Sequence, residues 1–290
     1  MMRNLEIALQ EKLGLREYQL KKLKVTSKNE NYLILIQGEP CFVLKIHPKH
    51  LAREKKVLEF FRENKLLTTL KPAYFGEDFM ITQYESELKD IPAFEAIDEI
   101  VEFHTRSLHH GDFTQFATDK EFFNEKRNCC ASRILRHPDL VENLWKDKDT
   151  LLTLIDKTPP ESYQKMPKII VHGDLFRKNI LKRKDREVIF IDYEIAFYDV
   201  PTWDLARAIL DTPLENTDYF VAEYVTRMKD SPLLENHTSS EIIRAVWMDC
   251  FYRIINDSIG MQQHESFRGR AGKYLEVFRS YLGKIIKNLT

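Results

Sequence analysis

One segment constrains this chain more than any other: KIIVHGDLFRKNILKRKDREVIFIDYEIAF, residues 168–197. Its first apolar run, Ile169-Ile170-Val171, leads into His172-Gly173-Asp174. Its second, Val188-Ile189-Phe190-Ile191, leads into Asp192. Short β-branched runs bounded by turn residues read as buried strands. Each strand therefore carries an aspartate at its exit, and Asn179 follows the first aspartate by five positions. Singly, these polar residues have ordinary uses. Asp174 after a glycine suits a turn, Asn179 suits a turn or a helix cap, and Asp192 suits a cap of the segment that follows. Jointly, and in this order, they set two carboxylates and an amide oxygen at the ends of two buried strands.

Length and composition frame what surrounds this segment. A chain of 290 residues suffices for one large domain or a domain of two lobes. Apolar content of 43% and charged content of 31% describe a globular protein, not a disordered one. The 44 basic and 45 acidic residues leave a net charge of −1, which suggests neither a nucleic-acid scaffold nor a polybasic membrane anchor. No apolar run approaches the roughly 18 residues of a membrane helix. Glu6 and Glu11 stand where a signal sequence needs an apolar stretch. The expected location is cytoplasmic, with no nucleic-acid or membrane partner. The 4 cysteines, Cys41, Cys129, Cys130 and Cys250, show no zinc-type spacing. Cys129-Cys130 reads either as two partly buried thiols on a helix or as a redox pair. His104, His109 and His110 read as helix-end residues before Gly111.

The first third reads as a small mixed α/β unit. A helix over 4–13 precedes two strands, 31–37 and 41–46, joined by a hairpin at Gly38-Glu39-Pro40. In the second strand Phe42, Leu44 and Ile46 share one face, and Cys41, Val43 and Lys45 the other. Lys45 is then either an edge lysine reaching for solvent or an inward one. The spacing predicts a helix over 51–64 with the stripe Leu51, Val57, Leu58 and Phe61, on which Glu54 lies and Glu59 does not. An inward Lys45 and an inward Glu54 are candidates to pair. A strand over 78–84 follows. Beyond it the pattern turns helical over 93–109, 119–137 and 140–155, and again, after the opening segment, over 201–210, 217–229, 239–258 and 269–289. The expectation is an α+β chain of two lobes: a β-rich one over residues 1–84 and a mainly helical one over 85–290.

These residues have a joint chemical meaning. Phosphoryl transfer asks for a carboxylate to accept the hydroxyl proton, oxygen ligands for Mg²⁺ and a lysine on the nucleotide phosphates. Kinases set the first two on a loop spaced D-x-x-x-x-N, followed by a strand end bearing a metal-binding Asp. Asp174, Asn179 and Asp192 have that order and spacing, and Lys45 with Glu54 would supply the strand lysine and its helical partner.

The blocks VHGDLFRKNIL, IFIDYEIA and DVPTWDLARAIL resemble the aminoglycoside phosphotransferase and choline kinase family, small-molecule kinases with a two-lobed protein-kinase-like fold. The resemblance runs from about residue 25 to the C-terminus and is specific over 171–208. It implies a cytoplasmic transferase that uses ATP and Mg²⁺ to phosphorylate a small-molecule hydroxyl. By the resemblance Asp174 is the base, Asn179 and Asp192 hold Mg²⁺, and His172 shapes the loop. Asp204 would bind that loop's backbone. Lys45, paired with Glu54, would contact the α- and β-phosphates. Ser27 would lie in the phosphate-covering loop, and backbone groups of Thr82 and Tyr84 would meet the adenine.

Departures refine this expectation. His172-Gly173-Asp174 stands for H-R-D, Asp192-Tyr193-Glu194 for D-F-G, and no A-P-E follows, which argues against a protein kinase. The loop VTSKNENYLIL contains no glycine, leaving Asn29 and Asn31 to tolerate positive φ. That feature favours the alternative, a catalytically weak pseudokinase acting as a binding module. Arg177-Lys178 would either neutralise an anionic group or be a solvated pair on a loop. Two regions are candidates for the acceptor. One carries Asp211, Glu215 and Asp218. The other is a helix with Trp247 and Phe251 on one stripe and Asp249, Tyr252 and Arg253 on another. Its aromatic stripe is either a wall for a cationic acceptor or ordinary helical core.

Overall fold

A computed structural model describes residues 2–23, 30–46, 51–65, 69–70, 72–109, 122–156, 163, 165–263 and 271–290. Its backbone packs into two compact units. The first comprises Met1–Ile91 and Arg177–Ala196, the second Pro92–Phe176 and Phe197–Thr290.

In the first unit, strands β1 (Gln19–Lys22), β2 (Glu30–Ile36), β3 (Glu39–Ile46), β4 (Pro72–Phe75) and β5 (Phe79–Gln83) form one antiparallel sheet in the order β1-β2-β3-β5-β4. Side-chain alternation gives this sheet two different faces. Ile34, Leu44, Phe79 and Ile81 pack in one core with Leu5, Ala8 and Leu9 of the N-terminal helix. Lys45, out of phase with Leu44, reaches the helix Leu51–Asn64. That helix buries Leu51, Glu54, Val57, Leu58 and Phe61, the stripe its spacing predicts. Burying Phe61 alone is worth about 1.5–3 kcal/mol. The β2–β3 turn falls one residue earlier than expected. Gln37 and Gly38 take φ of 52° and 87°, the positive values of a two-residue hairpin turn. Pro40 therefore lies within β3 opposite Leu35, where the register shifts.

The later strands are β6 (Lys89–Asp90), β7 (Ile169–Val171), β8 (Ile180–Lys182), β9 (Val188–Phe190) and β10 (Phe197–Asp199). The two strands that end on aspartates do not pair with each other. β9 pairs with β8, and β8 with β6, in the first unit. Residues 177–196 cluster with 1–91, through contacts such as Lys45 with Asp192, Phe61 with Tyr193 and Thr69 with the Phe190 carbonyl. β7 pairs with β10 in the second unit, Val171 opposite Phe197 and Ile169 opposite Asp199.

The second unit is otherwise helical. Its helix Ser239–Gln263 is buried on every side over its middle, residues 245–255. Trp247, Asp249, Phe251, Tyr252 and Arg253 are all internal, so the two separate stripes expected there merge into core. The single helix expected over 140–155 is two, Pro138–Leu144 and Lys148–Asp156. Asp147 separates them: its Oδ1 accepts the N–H groups of Asp149 and Thr150, an N-cap that starts the second helix. Among the described residues no helix is long and apolar enough to cross a membrane.

Candidate active site

The first unit gathers most of the residues singled out in sequence. Lys45 leaves β3 on the face opposite the N-terminal helix. Its Nζ donates to Glu54 Oε2 at 2.9 Å and to Asp192 Oδ1 at 2.5 Å, with Glu194 Oε2 at 3.9 Å. The Lys45 side chain is 13% exposed and that of Glu54 2%, so Lys45 is an inward lysine, not one reaching for solvent. Burial pulls its pKa down, and the charges of Glu54 and Asp192 more than reverse that, leaving it above its ordinary 10.5. One ammonium faces three carboxylates, so the group is net negative.

Two local features hold Asp192 in place. Its backbone sits at φ 70°, the left-handed region that Asp tolerates better than most residues. Tyr193, next in the chain, is fully buried and meets Phe61 edge-to-face at 5.1 Å. Phe61 lies two turns beyond Glu54 on the same helix, so one rigid element sets both carboxylates around Lys45. Asn179 is buried, and its C=O accepts the N–H of Ile191, the residue before Asp192. Arg177, at the head of that turn, lies 3.3 Å from Asp90 of β6. Ser27 and Asn29 lie outside the described residues.

The residues of the adenine expectation lie at the end of β5. The N–H of Tyr84 donates to Cys41 C=O at 2.9 Å and is consumed within the sheet. Thr82, two residues earlier and opposite Val43, is in the same ladder phase. The backbone groups in the opposite phase belong to Gln83, the last residue of β5.

His172 and Asp174 belong to the second unit. β7 ends at Val171, and Gly173 turns the chain at φ 82°, a conformation that glycine allows. Asp204 holds the loop's backbone: Oδ2 accepts the N–H of His172 at 2.7 Å and Oδ1 that of Gly173 at 2.8 Å. His172 is fully buried, and its Nδ1 accepts the N–H of Asp174 at 3.3 Å. Arg253 Nη2 donates to Gly173 C=O at 2.5 Å. Arg207 Nε donates to Asp174 Oδ1 at 2.8 Å.

Several important residues here escaped the sequence pattern. His104, expected at a helix end, is fully buried, with Nδ1 2.8 Å from the Tyr224 hydroxyl and Nε2 3.4 Å from Asp204 Oδ2. Burial pushes Asp204 up, but the His104 contact and the loop's N–H groups outweigh it and hold its carboxyl below 3.8. Asp249, a candidate acceptor-site acid, is spent inside the core. It accepts from Tyr163 at 2.8 Å and Thr202 at 2.7 Å, with Lys126 Nζ at 3.6 Å. Lys126 also pairs with Asp199 and lies 3.9 Å from the centre of the Trp203 ring. Of the other candidate acids, Asp218 pairs with Lys284 at 2.9 Å. Cys129 is exposed and Cys130 buried. One signal for Arg207 was present in DLAR: Asp204 and Arg207, three apart, share a helix face.

A model of the phosphotransferase enzyme family matches residues 19–232. Among solved structures, a choline kinase from Cryptosporidium parvum Iowa II is 12% identical, with 99% of this chain and 97% of that one covered and a TM-score of 0.67. Choline kinase LicA from Streptococcus pneumoniae is 15% identical over 95% of this chain and 99% of that one, with a TM-score of 0.57. The streptomycin–ATP–APH(2'')-IIa ternary complex is 15% identical over 96% and 98%, with a TM-score of 0.63. At such identities the likeness speaks to fold. The fold is the α+β, protein-kinase-like one expected from sequence, with a β-rich N-terminal part and a larger helical one. No curated protein matches the sequence.

Proposed function

The chain belongs to the phosphotransferase enzyme family, and from that premise we propose that it moves the γ-phosphate of ATP to a hydroxyl of a small molecule. The acceptor class is an amino alcohol, an aminoglycoside or a related metabolite. The observation that carries this reading is the Lys45 cluster, in which Glu54 at 2.9 Å and Asp192 at 2.5 Å fix a buried ammonium. A lysine held so is ready to meet phosphate oxygens, a role a solvent-reaching lysine would not need.

The residues present suit Mg²⁺. Asn179 and Asp192 offer hard oxygen donors, and the net negative charge around Lys45 favours a further cation. Asn179 and Asp192 would hold the ion. With ATP bound, Mg²⁺ supplies charge neutralisation on the phosphates. Lys45 binds the α- and β-phosphates, and Glu54 keeps its ammonium oriented. Backbone groups at the end of β5, from Thr82 to Tyr84, meet the adenine. Asp174 accepts the proton of the acceptor hydroxyl, and His172 and Asp204 fix the loop that carries it.

The test has two parts. Thermal melting with ATP and Mg²⁺ should show stabilisation at millimolar nucleotide. A screen of ATP consumption against amino alcohols, aminoglycosides, thiamine and sugars should then yield an acceptor. With that acceptor, Asp174→Asn should keep nucleotide stabilisation and lose roughly 10²–10⁴ in rate. Nucleotide binding with no turnover of any acceptor would point instead to the pseudokinase alternative, a binding module.

A further inference from the structure

We infer that Arg207 is a positioning residue, one that orients the Asp174 carboxylate for proton acceptance; this rests on the reading of Asp174 as the base. Two anchors already fix the loop's backbone. Asp204 takes the N–H groups of His172 and Gly173, and Arg253 donates to Gly173 C=O. All these bonds are made to the backbone, and a fixed backbone alone does not select the rotamer of the Asp174 side chain. Arg207 does touch it, through the 2.8 Å bond from Nε to Oδ1, a charge-assisted contact that fixes direction as well as distance.

Arg207 is itself held. Its guanidinium carbon lies 4.6 Å from the centre of the Phe176 ring, and Nη1 lies 3.9 Å from Asp257 Oδ2. It stands three residues after Asp204 on the helix Thr202–Ile209. One short helix therefore grips both the loop's backbone and its carboxylate. Stability does not account for this arrangement. The two side chains are 24% and 34% exposed, and an ion pair so exposed contributes little to folding. Orientation does account for it, because a small misplacement of a reacting group can cost about 10²-fold in rate.

The experiment uses the full chain and water as the phosphoryl acceptor, so no acceptor need be known. Hydrolysis of Mg-ATP is followed in wild type, Arg207→Ala, Arg207→Lys, Asp174→Asn and the Arg207→Ala/Asp174→Asn double variant. Arg207→Ala should lower kcat by roughly 10–100-fold and leave the KM for ATP within a factor of about two. Arg207→Lys should recover part of the loss. In the Asp174→Asn background, Arg207→Ala should cost nothing further, because residues acting as a unit are not additive. Equal costs in both backgrounds would overturn the inference and leave the base reading standing. An unchanged rate in Asp174→Asn itself would overturn the base reading, and this inference with it. Should Arg207→Ala melt well below wild type, Arg207→Gln, which keeps the length and an N–H donor, is read in its place against the same outcomes.

Discussion

Lys45 is held by charge. Its partners are carboxylates from a helix and from the end of β9, and two of them, Asp192 and Glu194, are 35% and 24% exposed. The Asp174 loop is held through its backbone, by groups that see almost no solvent: Asp204 and His104 at 0% and Arg253 at 7%. A charge cluster keeps its fold when one member goes, because the others and nearby water can adjust. A backbone pinned by a buried carboxylate cannot do so, since each orphaned N–H carries a full desolvation cost. The two regions should therefore fail differently, the first in ligand binding and the second in folding.

The largest effect expected is from Asp204→Ala. It leaves the N–H groups of His172 and Gly173 without their acceptor and His104 without its carboxylate. Losing one side of such a buried charged network costs about 3–5 kcal/mol, to be read from urea unfolding. The contrasting change is Glu54→Gln, which keeps the shape of a side chain that is 1% exposed. Lys45 retains Asp192, so melting without ligand should shift by only a few degrees. Affinity for Mg-ATP, titrated by thermal shift or calorimetry, should fall by about tenfold, or ~1.4 kcal/mol. Were Glu54→Gln to destabilise the fold as much as Asp204→Ala, the contrast would collapse and the Lys45 cluster would be a structural core element.

This contrast also explains what could be read from sequence. The Lys45 cluster rests on local periodicity: alternation puts Lys45 opposite Leu44, and helical spacing puts Glu54 on the stripe with Val57, Leu58 and Phe61. The loop's anchors rest on contacts between distant residues, and periodicity carries no trace of those. His104 meets Asp204 across 100 residues and Tyr224 across 120. Asp249 read as a candidate acceptor-site acid because its core partners, Tyr163, Thr202 and Lys126, lie far off in the chain. Lys126 lies far in sequence from Asp199 and Asp249, so nothing local marked it as internal. The 140–155 window failed for a different reason. Apolar residues continue across the break, and only Asp147, a capping residue, signals it.

The pH dependence of stability should separate the two regions again, with a smaller effect, in acid for one and in alkali for the other. Asp204 is held below its ordinary 3.8, so its contribution is fully present above that value and is lost as pH falls through the depressed one. The stability gap between wild type and Asp204→Asn should be flat from about pH 5 upward and narrow below pH 4. Lys45 is held above 10.5, so its contribution is present below that value and lost only as pH rises through the raised one. The gap between wild type and Lys45→Met should therefore be flat around neutral pH and narrow only above about pH 10.5. Narrowing of the Lys45→Met gap already below about pH 10 would mean that the pairing does not raise the pKa of the ammonium.

The smallest effect concerns Arg177. It opens the turn Arg177–Asn179, and its partner Asp90 belongs to β6. The β6–β8 ladder already ties those elements, with Asp90 opposite Leu181 just past Asn179. The ion pair is also half exposed, 51% and 50%. It adds a weak brace to a connection that hydrogen bonds already make, so Arg177→Ala should cost under about 1 kcal/mol and leave turnover unchanged. The informative departure would be a loss of rate at unchanged stability. A brace cannot produce that result, and it would assign Arg177 to the transferring phosphate, making the β-rich unit the source of a second cation beside Lys45.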